Sequence, residues 1–396
     1  MKYLIVLLIL STLIFACQSK SESADDDADE KEDQATVANS GASFQDGTPL
    51  LIGTYTQDMG WVNGKATGMH IGILKNGKVE LVQTVDVGPN PSFVTVHPNG
   101  KYVYAVNEVG GTADQPEGMV TALSIDASGG IEIINSRSSL GTSPCHVSVN
   151  QYGTQLMVAN YGNGTIASFP IGLEGRSGRR NDVIQFSGKG NHGRQDGPHA
   201  HFIKEGPDKR IYTADLGTDS IRIYNLIGGV LERDGFIKTE NQSGPRHLAF
   251  HSSQPIIYIL NELAGTVEVW QEAGKTYKRI QRLSTLTDAY SDQEAHCGAI
   301  EIDKNGTSLY VSNRGDINMI STFSIAMDGT LTLQGMTSTQ GGIPRDMEID
   351  PSGKYLLVAN QNSDNIVTFE INGSSGALEN PKITAGIMTP VSITFL

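Results

Sequence analysis

The chain has 396 residues, of which 45 are glycine and 18% are charged, and its formal net charge is −14. Many glycines and few charges favour short elements joined by tight turns over long surface helices. The sequence therefore predicts an all-β protein. The acidic balance argues against nucleic acid as a partner, because nucleic-acid binding depends on a basic surface.

The N-terminus predicts export. Met1 and Lys2 form a positive start, and residues 3–16 form an apolar run of about 14 residues that is short for a membrane span. The run ends in Leu-Ile-Phe-Ala-Cys, which resembles a bacterial lipobox, so we expect residues 1–17 to be a lipoprotein signal peptide and Cys17 to be lipidated. An ordinary cleaved signal with an incidental cysteine is the alternative. Lipidation would place the protein in the bacterial cell envelope, at the outer membrane or on the periplasmic side, with the lipid as its only membrane contact.

An acidic segment follows at residues 18–47. It contains nine acidic residues and two lysines, and such a composition buries too little apolar surface to offset the entropy of ordering. We expect this segment to be a disordered tether.

A pattern of about fifty residues then repeats along the chain. Each copy has an alternating apolar strand, a turn, and a second strand that ends near Asn or Asp. The copies are residues 91–108, 144–161, 198–216, 245–262, 297–314 and 344–361. A third alternating run follows most copies, at 165–171, 220–226, 266–270, 319–325 and 365–371, and a more variable fourth run comes after a glycine-containing turn. Four antiparallel strands per repeat predict the blade of a β-propeller.

The two ends of this region complete one further blade. Residues 390–396 form a first strand without a successor, whereas 50–56, 68–75 and 78–87 form three strands without a first strand. The sequence therefore predicts a seven-bladed β-propeller over residues 48–396, closed by the C-terminal strand against the N-terminal strands. A closed ring has no free sheet edge, so we expect a monomer.

The first strand of each blade should line the central channel. The residue after each anchor proline, or its equivalent, is expected to face this channel: Ser92, Cys145, His199, Arg246, Gly298, Arg345 and Val391. His201 lies two residues beyond His199 and should share its face. His146 and His247 should alternate to the other face and bond to loop backbone.

The aligned repeats resemble the seven-bladed propeller lactonase family, which includes bacterial propeller-type 6-phosphogluconolactonases and the fungal carboxy-cis,cis-muconate cyclase. The resemblance covers about residues 50–396. The motifs that carry it include GTYT (53–56), PCHVSV (144–149), GPHAHF (197–202), GPRHLAFH (244–251), LNE (260–262), SNRG (312–315) and PRDMEIDPSGKYLLVANQ (344–361). Together these motifs are specific, although no single one is.

The resemblance implies catalytic roles for a histidine of GPHAHF, the arginine of GPRH, the glutamate of LNE and the arginine of SNRG. In this chain they are His199 or His201, Arg246, Glu262 and Arg314. A neutral histidine or an ionised glutamate can deprotonate water, and arginine can stabilise an oxyanion or hold an anionic substrate group.

Arg345, His146 and Glu108 are further candidates, as substrate contacts. The alternative for the arginines is a structural ion pair between blades, with Glu108 and Glu262 as the partners.

No metal or other cofactor is expected. Histidines and cysteines do lie near the same rim, but the sequence has neither an HExxH motif nor paired CxxC spacing. Cys145 and Cys297 fall on non-adjacent blades, so we expect them to be free, buried thiols.

The sequence thus favours hydrolysis of a sugar or organic-acid lactone. Water is the expected nucleophile, because the chain has no GxSxG elbow, P-loop or dinucleotide fingerprint. The predicted export argues against 6-phosphogluconolactone itself, which belongs to cytosolic metabolism. A muconate-type cyclase and a non-catalytic ring that binds a ligand in the envelope are the alternatives.

Overall fold

The computed structural model describes residues 44–274 and 276–396. Within these residues the chain forms 28 strands in seven four-stranded antiparallel sheets, with five short 3-10 helices and no α-helix. The predicted all-β propeller is confirmed. The expected signal peptide, the lipidation of Cys17 and most of the tether lie outside the described residues.

The strands follow the repeats in chain order. The first three are β1 (Thr48–Thr54), β2 (Met69–Lys75) and β3 (Lys78–Val85). Blade 1 contains β4 (Phe93–Val96), β5 (Tyr102–Asn107), β6 (Met119–Ile125) and β7 (Ile131–Ser138). Blade 2 contains β8 (Pro144–Val149), β9 (Gln155–Asn160), β10 (Thr165–Pro170) and β11 (Asp182–Gln185). Blade 3 contains β12 (Ala200–Glu205), β13 (Ile211–Asp215), β14 (Ser220–Ile227) and β15 (Val230–Lys238).

The remaining blades repeat this order. Blade 4 contains β16 (Pro245–Phe250), β17 (Ile256–Asn261), β18 (Thr266–Ala273) and β19 (Thr276–Ser284). Blade 5 contains β20 (His296–Ile302), β21 (Ser308–Arg314), β22 (Met319–Ile325) and β23 (Leu331–Ser338). Blade 6 contains β24 (Pro344–Ile349), β25 (Tyr355–Asn360), β26 (Asn365–Ile371) and β27 (Leu378–Ala385), and the last strand is β28 (Pro390–Phe395). The 3-10 helices are Phe44–Asp46, Leu173–Gly175, Leu216–Thr218, Asp288–Tyr290 and Gln361–Ser363.

Blade 7 joins the two ends of the chain. Its strand order is β28-β1-β2-β3, and β28 pairs with β1 so that Ile393 lies opposite Ile52. Val391 and Ile393 are 3% exposed, so the closing strand also contributes to the core. The predicted closure is confirmed.

Buried tyrosines connect neighbouring blades. Tyr104, Tyr258 and Tyr310 each lie on the second strand of a blade and are fully buried. Each hydroxyl donates to a glycine carbonyl of the next blade, as Tyr258 does to Gly329 at 3.0 Å. Gly329 has a φ of 83°, a conformation that favours glycine. The repeating sequence thus places one inter-blade hydrogen bond at equivalent points of the ring.

The innermost strands of six blades begin with a β-bulge, and β4 of blade 1 is the exception. In blade 2, Pro144 pairs with Asn160 but His146 pairs with Ala159, so Cys145 is an extra residue. The same register shift makes His201, Arg246, Arg345 and Val391 the extra residues of their strands, and Gly298 and Ala299 span it in blade 5. A bulge redirects side chains and often lies beside an active site. We call the end of the ring that carries these bulges the upper rim, and the opposite end the lower rim.

The bulge corrects two predictions. In blade 3 the residue equivalent to the anchor proline is Ala200, which pairs with Asp215, so His201 and not His199 occupies the position of Cys145 and Arg246. His199 precedes the strand instead, and its backbone N–H donates to Asp215 at 2.8 Å. The bulge also turns His146 and His247 towards the channel, contrary to the expected alternation.

No helix within the described residues is long and apolar enough to cross a membrane.

Candidate active site

The upper rim of the channel holds one carboxylate among three arginines. Oε1 of Glu262 lies 2.6 Å from Nη1 of Arg194 and 2.9 Å from Nη2 of Arg314. Oε2 lies 3.1 Å from Nε of Arg246, an ion pair whose N–H is not aligned for a hydrogen bond. These four residues, which we call the Glu262 cluster, come from blades 4 and 5 and from the loop before blade 3.

Electrostatics keep Glu262 ionised. Burial alone would raise the pKa of this carboxyl, but Arg314, Arg194 and Arg246 together lower it well below its usual range. Both carboxylate oxygens are occupied by arginines, Oε1 by Arg194 and Arg314 and Oε2 by Arg246. Glu262 therefore suits the holding of arginines better than the deprotonation of water, which narrows the roles that the sequence left open.

Arg246 is fixed more firmly than its partners. Its side chain is 3% exposed, and Nη1 donates to the carbonyl of Gly298 and lies 3.1 Å from Nε2 of His247. A Cβ at Gly298 would lie 2.6 Å from the carbonyl oxygen of Pro344, so the close packing at this point requires glycine. Burial, and Arg314 beside it, lower the pKa of Arg246 to about 10, so the guanidinium remains charged at neutral pH.

Arg194 is the exposed member of the cluster. Its side chain is 44% exposed, and besides Glu262 it donates to the hydroxyl of Tyr161 at 3.1 Å. The ring of Tyr161 stacks on His199 with centroids 4.5 Å apart. His199 is held by the carbonyl of Tyr161 at 2.9 Å and by Asp196 at 3.2 Å. His199 therefore belongs to the wall of the rim.

A second group lies on the opposite side of the rim. Nη2 of Arg345 donates to the hydroxyl of Tyr55 at 2.8 Å, and this hydroxyl donates to Oε2 of Glu108 at 2.8 Å. Burial raises the pKa of Tyr55, so the phenol remains a neutral donor. Burial alone would lower the pKa of Arg345, but Tyr55, Glu108 and Glu262 raise it, and the guanidinium stays charged.

Three imidazoles line the channel between and beneath these groups. The ring of His247 lies 5.4 Å from that of His201 and 5.6 Å from that of His146. His146 and His247 belong to blades 2 and 4, which are not neighbours, so only the channel can bring them together. The ring of His146 also stacks on Phe93, with centroids 4.4 Å apart, and lies tilted against Phe202, with centroids 4.6 Å apart. It is 4% exposed, and its substrate-binding role remains a prediction.

His201 differs from the other two imidazoles in its position. It occupies the bulge of blade 3, next to the bulge of Arg246 in blade 4, and its buried Nδ1 has no hydrogen-bond partner. Burial, and then Arg246 and Arg345, lower the pKa of His201 well below its usual value. The neutral ring thus offers an unpaired nitrogen among cations.

Further charges lie deeper in the channel. Lys204, Glu301 and Glu348 are on the innermost strands of blades 3, 5 and 6, and they interact electrostatically across the channel. Burial and the negative charge of Asp346 raise the pKa of Glu348 to about 8. Burial and Glu348 raise the pKa of Glu301 as well. The pKa values of the carboxyl groups in this part of the channel are thus raised, whereas the pKa of Glu262 is lowered.

The two described cysteines are free and buried, as predicted. The thiol of Cys145 donates to the carbonyls of Ala200 and His201 at 3.6 and 3.8 Å, and burial raises its pKa. Burial also raises the pKa of Cys297, to about 12. Neither thiol is suited to act as a nucleophile. Among the described residues, no three His, Cys, Asp or Glu side chains are grouped as metal ligands.

The structure brings most predicted residues together and adds others. Arg246, Glu262 and Arg314 meet in one cluster, while Arg345 and Glu108 meet through Tyr55. The sequence analysis missed Arg194, Tyr161, Tyr55 and Trp61. Arg194 and Trp61 lie on two long connections, residues 186–199 and 55–68, and loops of this length without strands are often functional. Loop length was therefore the signal that could have found them.

The sequence and the fold of this chain match a known class of protein. The sequence model of a family described as a seven-bladed β-propeller lactonase matches residues 49–395. The chain belongs to this family, and the resemblance noted in its motifs is confirmed.

Individual relatives cover nearly the whole propeller. A 6-phosphogluconolactonase of Bacillus subtilis is 32% identical over 354 residues, covering 87% of this chain and 97% of the relative. A 6-phosphogluconolactonase of Formosa agariphila is 33% identical, covering 83% of this chain and 94% of the relative. The structure of a periplasmic gluconolactonase of Pseudomonas aeruginosa is 28% identical, with a TM-score of 0.80, and covers 88% of this chain and 99% of that protein.

Proposed function

We propose that this protein is a lactonase that hydrolyses a sugar or organic-acid lactone carrying a phosphate or carboxylate group. The observation that carries the proposal is the surplus of arginine at the upper rim. In the described part of the chain, Arg194, Arg246, Arg314 and Arg345 are paired with Glu262 or linked through Tyr55 to Glu108, and Asp346 is the further acidic group that interacts electrostatically with Arg246 and Arg345. The names of the relatives support the lactone as substrate, and the surplus positive charge supports an anionic form of it.

The arginines have different proposed roles, one in binding the substrate anion and two in stabilising the charge that develops during the reaction. Arg194 is exposed enough to meet a substrate anion and can form a bidentate pair with it. Arg246 and Arg314 are held by Glu262 and by backbone carbonyls, which fixes them before substrate arrives. Fixed cations in a site shielded from water stabilise developing negative charge strongly, because they need no reorganisation during the reaction.

His201 is the proposed general base. It accepts a proton from water as the water oxygen attacks the lactone carbonyl, and arginine stabilises the resulting oxyanion. The carbonyl then re-forms, the ring C–O bond breaks, and the departing oxygen takes the proton from His201. The product is a hydroxy acid. Glu262 acts in this scheme as a positioning residue.

The location remains a proposal as well. The Pseudomonas aeruginosa relative is described as periplasmic, and the N-terminus of this chain predicts export and a lipid at Cys17. We place the propeller in the cell envelope, as a monomer held by its lipid and acidic tether. A substrate with a carboxylate would suit this location better than a cytosolic sugar phosphate.

The test is acid release from a panel of lactones by the full-length protein. The panel contains 6-phosphoglucono-δ-lactone, a glucaric acid lactone and neutral glucono-δ-lactone, with spontaneous hydrolysis subtracted. We expect turnover of at least one charged lactone and a loss of turnover in Glu262→Gln. No turnover above buffer with any lactone would disprove the proposal. The two charged lactones distinguish a phosphate from a carboxylate.

A further inference from the structure

One aromatic side chain at the upper rim has no part in the scheme above. Trp61 lies on the connection between β1 and β2 and is 56% exposed. The centroid of its ring lies 5.2 Å from Cζ of Arg345 and 5.2 Å from the ring centroid of Tyr55. A ligand held by Arg345 therefore lies within reach of the indole.

The loop fixes Trp61 in place. Gly64 donates its N–H to the carbonyl of Gln57 at 3.0 Å, and Gln57 donates its N–H to the side-chain oxygen of Asn90 at 2.9 Å. Val62, directly after the tryptophan, is 7% exposed and packs beneath it against Tyr55. The exposed indole thus projects from an anchored backbone, so holding a ligand against it costs little ordering.

The chemistry of the indole favours a particular ligand surface. The face of an aromatic ring is negatively polarised, and it attracts positively polarised hydrogens. The C–H groups of a sugar ring are polarised in this way, because each carbon carries an oxygen. A plain hydrocarbon ring presents C–H groups with less positive character and gains less from the same contact.

We propose that Trp61 forms an aromatic wall of the substrate site, which stacks on the sugar ring and selects carbohydrate lactones over unsubstituted ones. This inference rests on the proposed function and adds a specificity residue to it. The arginines recognise the charged group and Trp61 recognises the ring.

Steady-state kinetics of full-length variants test the wall. Trp61→Ala should raise KM for glucono-δ-lactone about tenfold, as the loss of a stacking contact predicts, with little change in kcat. The KM for δ-valerolactone should change much less, and Trp61→Phe should restore most of the sugar preference. An equal effect of Trp61→Ala on both lactones, or none on either, would overturn the inference.

Tyr152→Ala is the matched control. Tyr152 is 64% exposed and has Lys209 Nζ 5.5 Å from its ring centroid, a cation–π contact like that of Trp61. It lies in the turn between β8 and β9, at the lower rim. Its removal should leave the kinetics with both lactones unchanged.

Tryptophan fluorescence tests the same contact without turnover. The chain has two tryptophans, and Trp270 lies on β18 in blade 4, so Trp270→Phe leaves Trp61 as the single indole. Titration with gluconate and 6-phosphogluconate should change the emission of this variant to saturation, and should not affect the Trp61→Phe/Trp270→Phe double variant. If the wild type hydrolyses no lactone, the proposed function fails, and this titration alone then tests whether Trp61 contacts a sugar ligand. A saturable response then supports the wall, and an unchanged emission overturns it.

Discussion

Two ion clusters in this propeller have inverse charges. In the Glu262 cluster three arginines share one carboxylate, with contacts of 2.6 to 3.1 Å. In a second cluster, which we call the Arg210 cluster, one guanidinium lies 2.5 Å from Asp208, 3.3 Å from Asp234 and 2.5 Å from Glu272. The two clusters lie at opposite rims, because β12 begins beside the first and the turn after it leads to the second.

The difference separates a structural ion network from the proposed binding site. Arg210 connects blade 3 to Glu272 of blade 4, it is 12% exposed, and it lies over the rings of Tyr212 and Tyr277. In the Arg210 cluster the carboxylates are in surplus, and the guanidinium that they share holds two blades together. The Glu262 cluster has a surplus of positive charge, and its exposed member opens to solvent at the channel mouth. Ion pairing alone therefore does not indicate function, and it is the uncompensated positive charge at the channel mouth that supports the proposed binding site.

The largest expected effect comes from removing the charge of Glu262. Glu262→Gln leaves three arginines that repel one another and lose their orientation, so kcat/KM should fall about 1000-fold, as when preorganised electrostatics are lost. Glu262→Asp keeps the negative charge on a shorter side chain, so its kcat/KM should lie between those of the wild type and Glu262→Gln. Steady-state kinetics check both variants, and a melting curve confirms that each is folded.

Arg210→Gln is the counterpart in the other cluster. It should lower the free energy of unfolding by about 2 kcal/mol, since three partly buried carboxylates lose their cation. Its kcat/KM should stay within about twofold of the wild type, because the two clusters share no residues. If Arg210→Gln lost activity while Glu262→Gln kept it, the contrast between the clusters would be reversed.

Substitution of His201 should produce the next largest effect. His201→Asn removes the proposed base and should lower kcat about 100-fold, within the range of general-base catalysis, with a smaller change in KM. The wild-type pH profile should lose activity only well below pH 6.5, because burial and the two arginines lower the pKa of His201. An acidic limb centred at 6.5 or above, or a variant with the wild-type profile, would remove His201 from this role.

Substitution of Arg194 tests whether the open side of the cluster binds the anion. Arg194→Ala should raise KM for a charged lactone about tenfold, the cost of one charge-assisted hydrogen bond, and should change KM for a neutral lactone less. Arg233→Ala removes an exposed arginine of β15 that lies over Phe236, away from the site, and serves as the control. Equal losses with charged and neutral lactones would speak against anion binding at Arg194.

The smallest effect concerns the deeper carboxyls of the channel. The raised pKa of Glu348, about 8, means that its protonated form stabilises the fold fully below pH 4.5 and that this contribution is lost as the pH rises through 8. The free energy of unfolding of Glu348→Gln should therefore exceed that of the wild type by about 1 kcal/mol at pH 9, and the two should differ little at pH 4.5. The lowered pKa of Glu262 has the opposite sign, since its contribution is lost only on acidification below 4.5. A Glu348→Gln variant less stable at pH 9 would contradict this assignment.

The strands were predictable because each depends on local alternation. The third runs at 319–325 and 365–371 match β22 and β26 residue for residue, and blade closure followed from the incomplete repeats at the two ends. The bulges were not predictable, because an extra residue changes the register without changing the local pattern. For this reason His199 and His201 were assigned to one face, and His146 and His247 to the other.

The site was predictable where a motif lies on a strand end and not where a loop supplies the residue. Arg246, Glu262 and Arg314 belong to repeating segments, so the fold brings them to one rim. Arg194 comes from the connection 186–199, which is longer than the equivalent connections between the other blades and has no periodicity. Its contact with Glu262 depends on the path of that loop, which tertiary packing determines.

The most direct test is the ratio of kcat/KM for 6-phosphoglucono-δ-lactone or a glucaric acid lactone to kcat/KM for glucono-δ-lactone. For the full-length wild type this ratio should exceed about 10 with at least one charged lactone, since one charge-assisted pair is worth that factor. In Arg194→Ala the ratio should fall towards one. A wild-type ratio near one with both charged lactones, unchanged in Arg194→Ala, would contradict the claim that the arginine surplus at the upper rim recognises an anionic lactone.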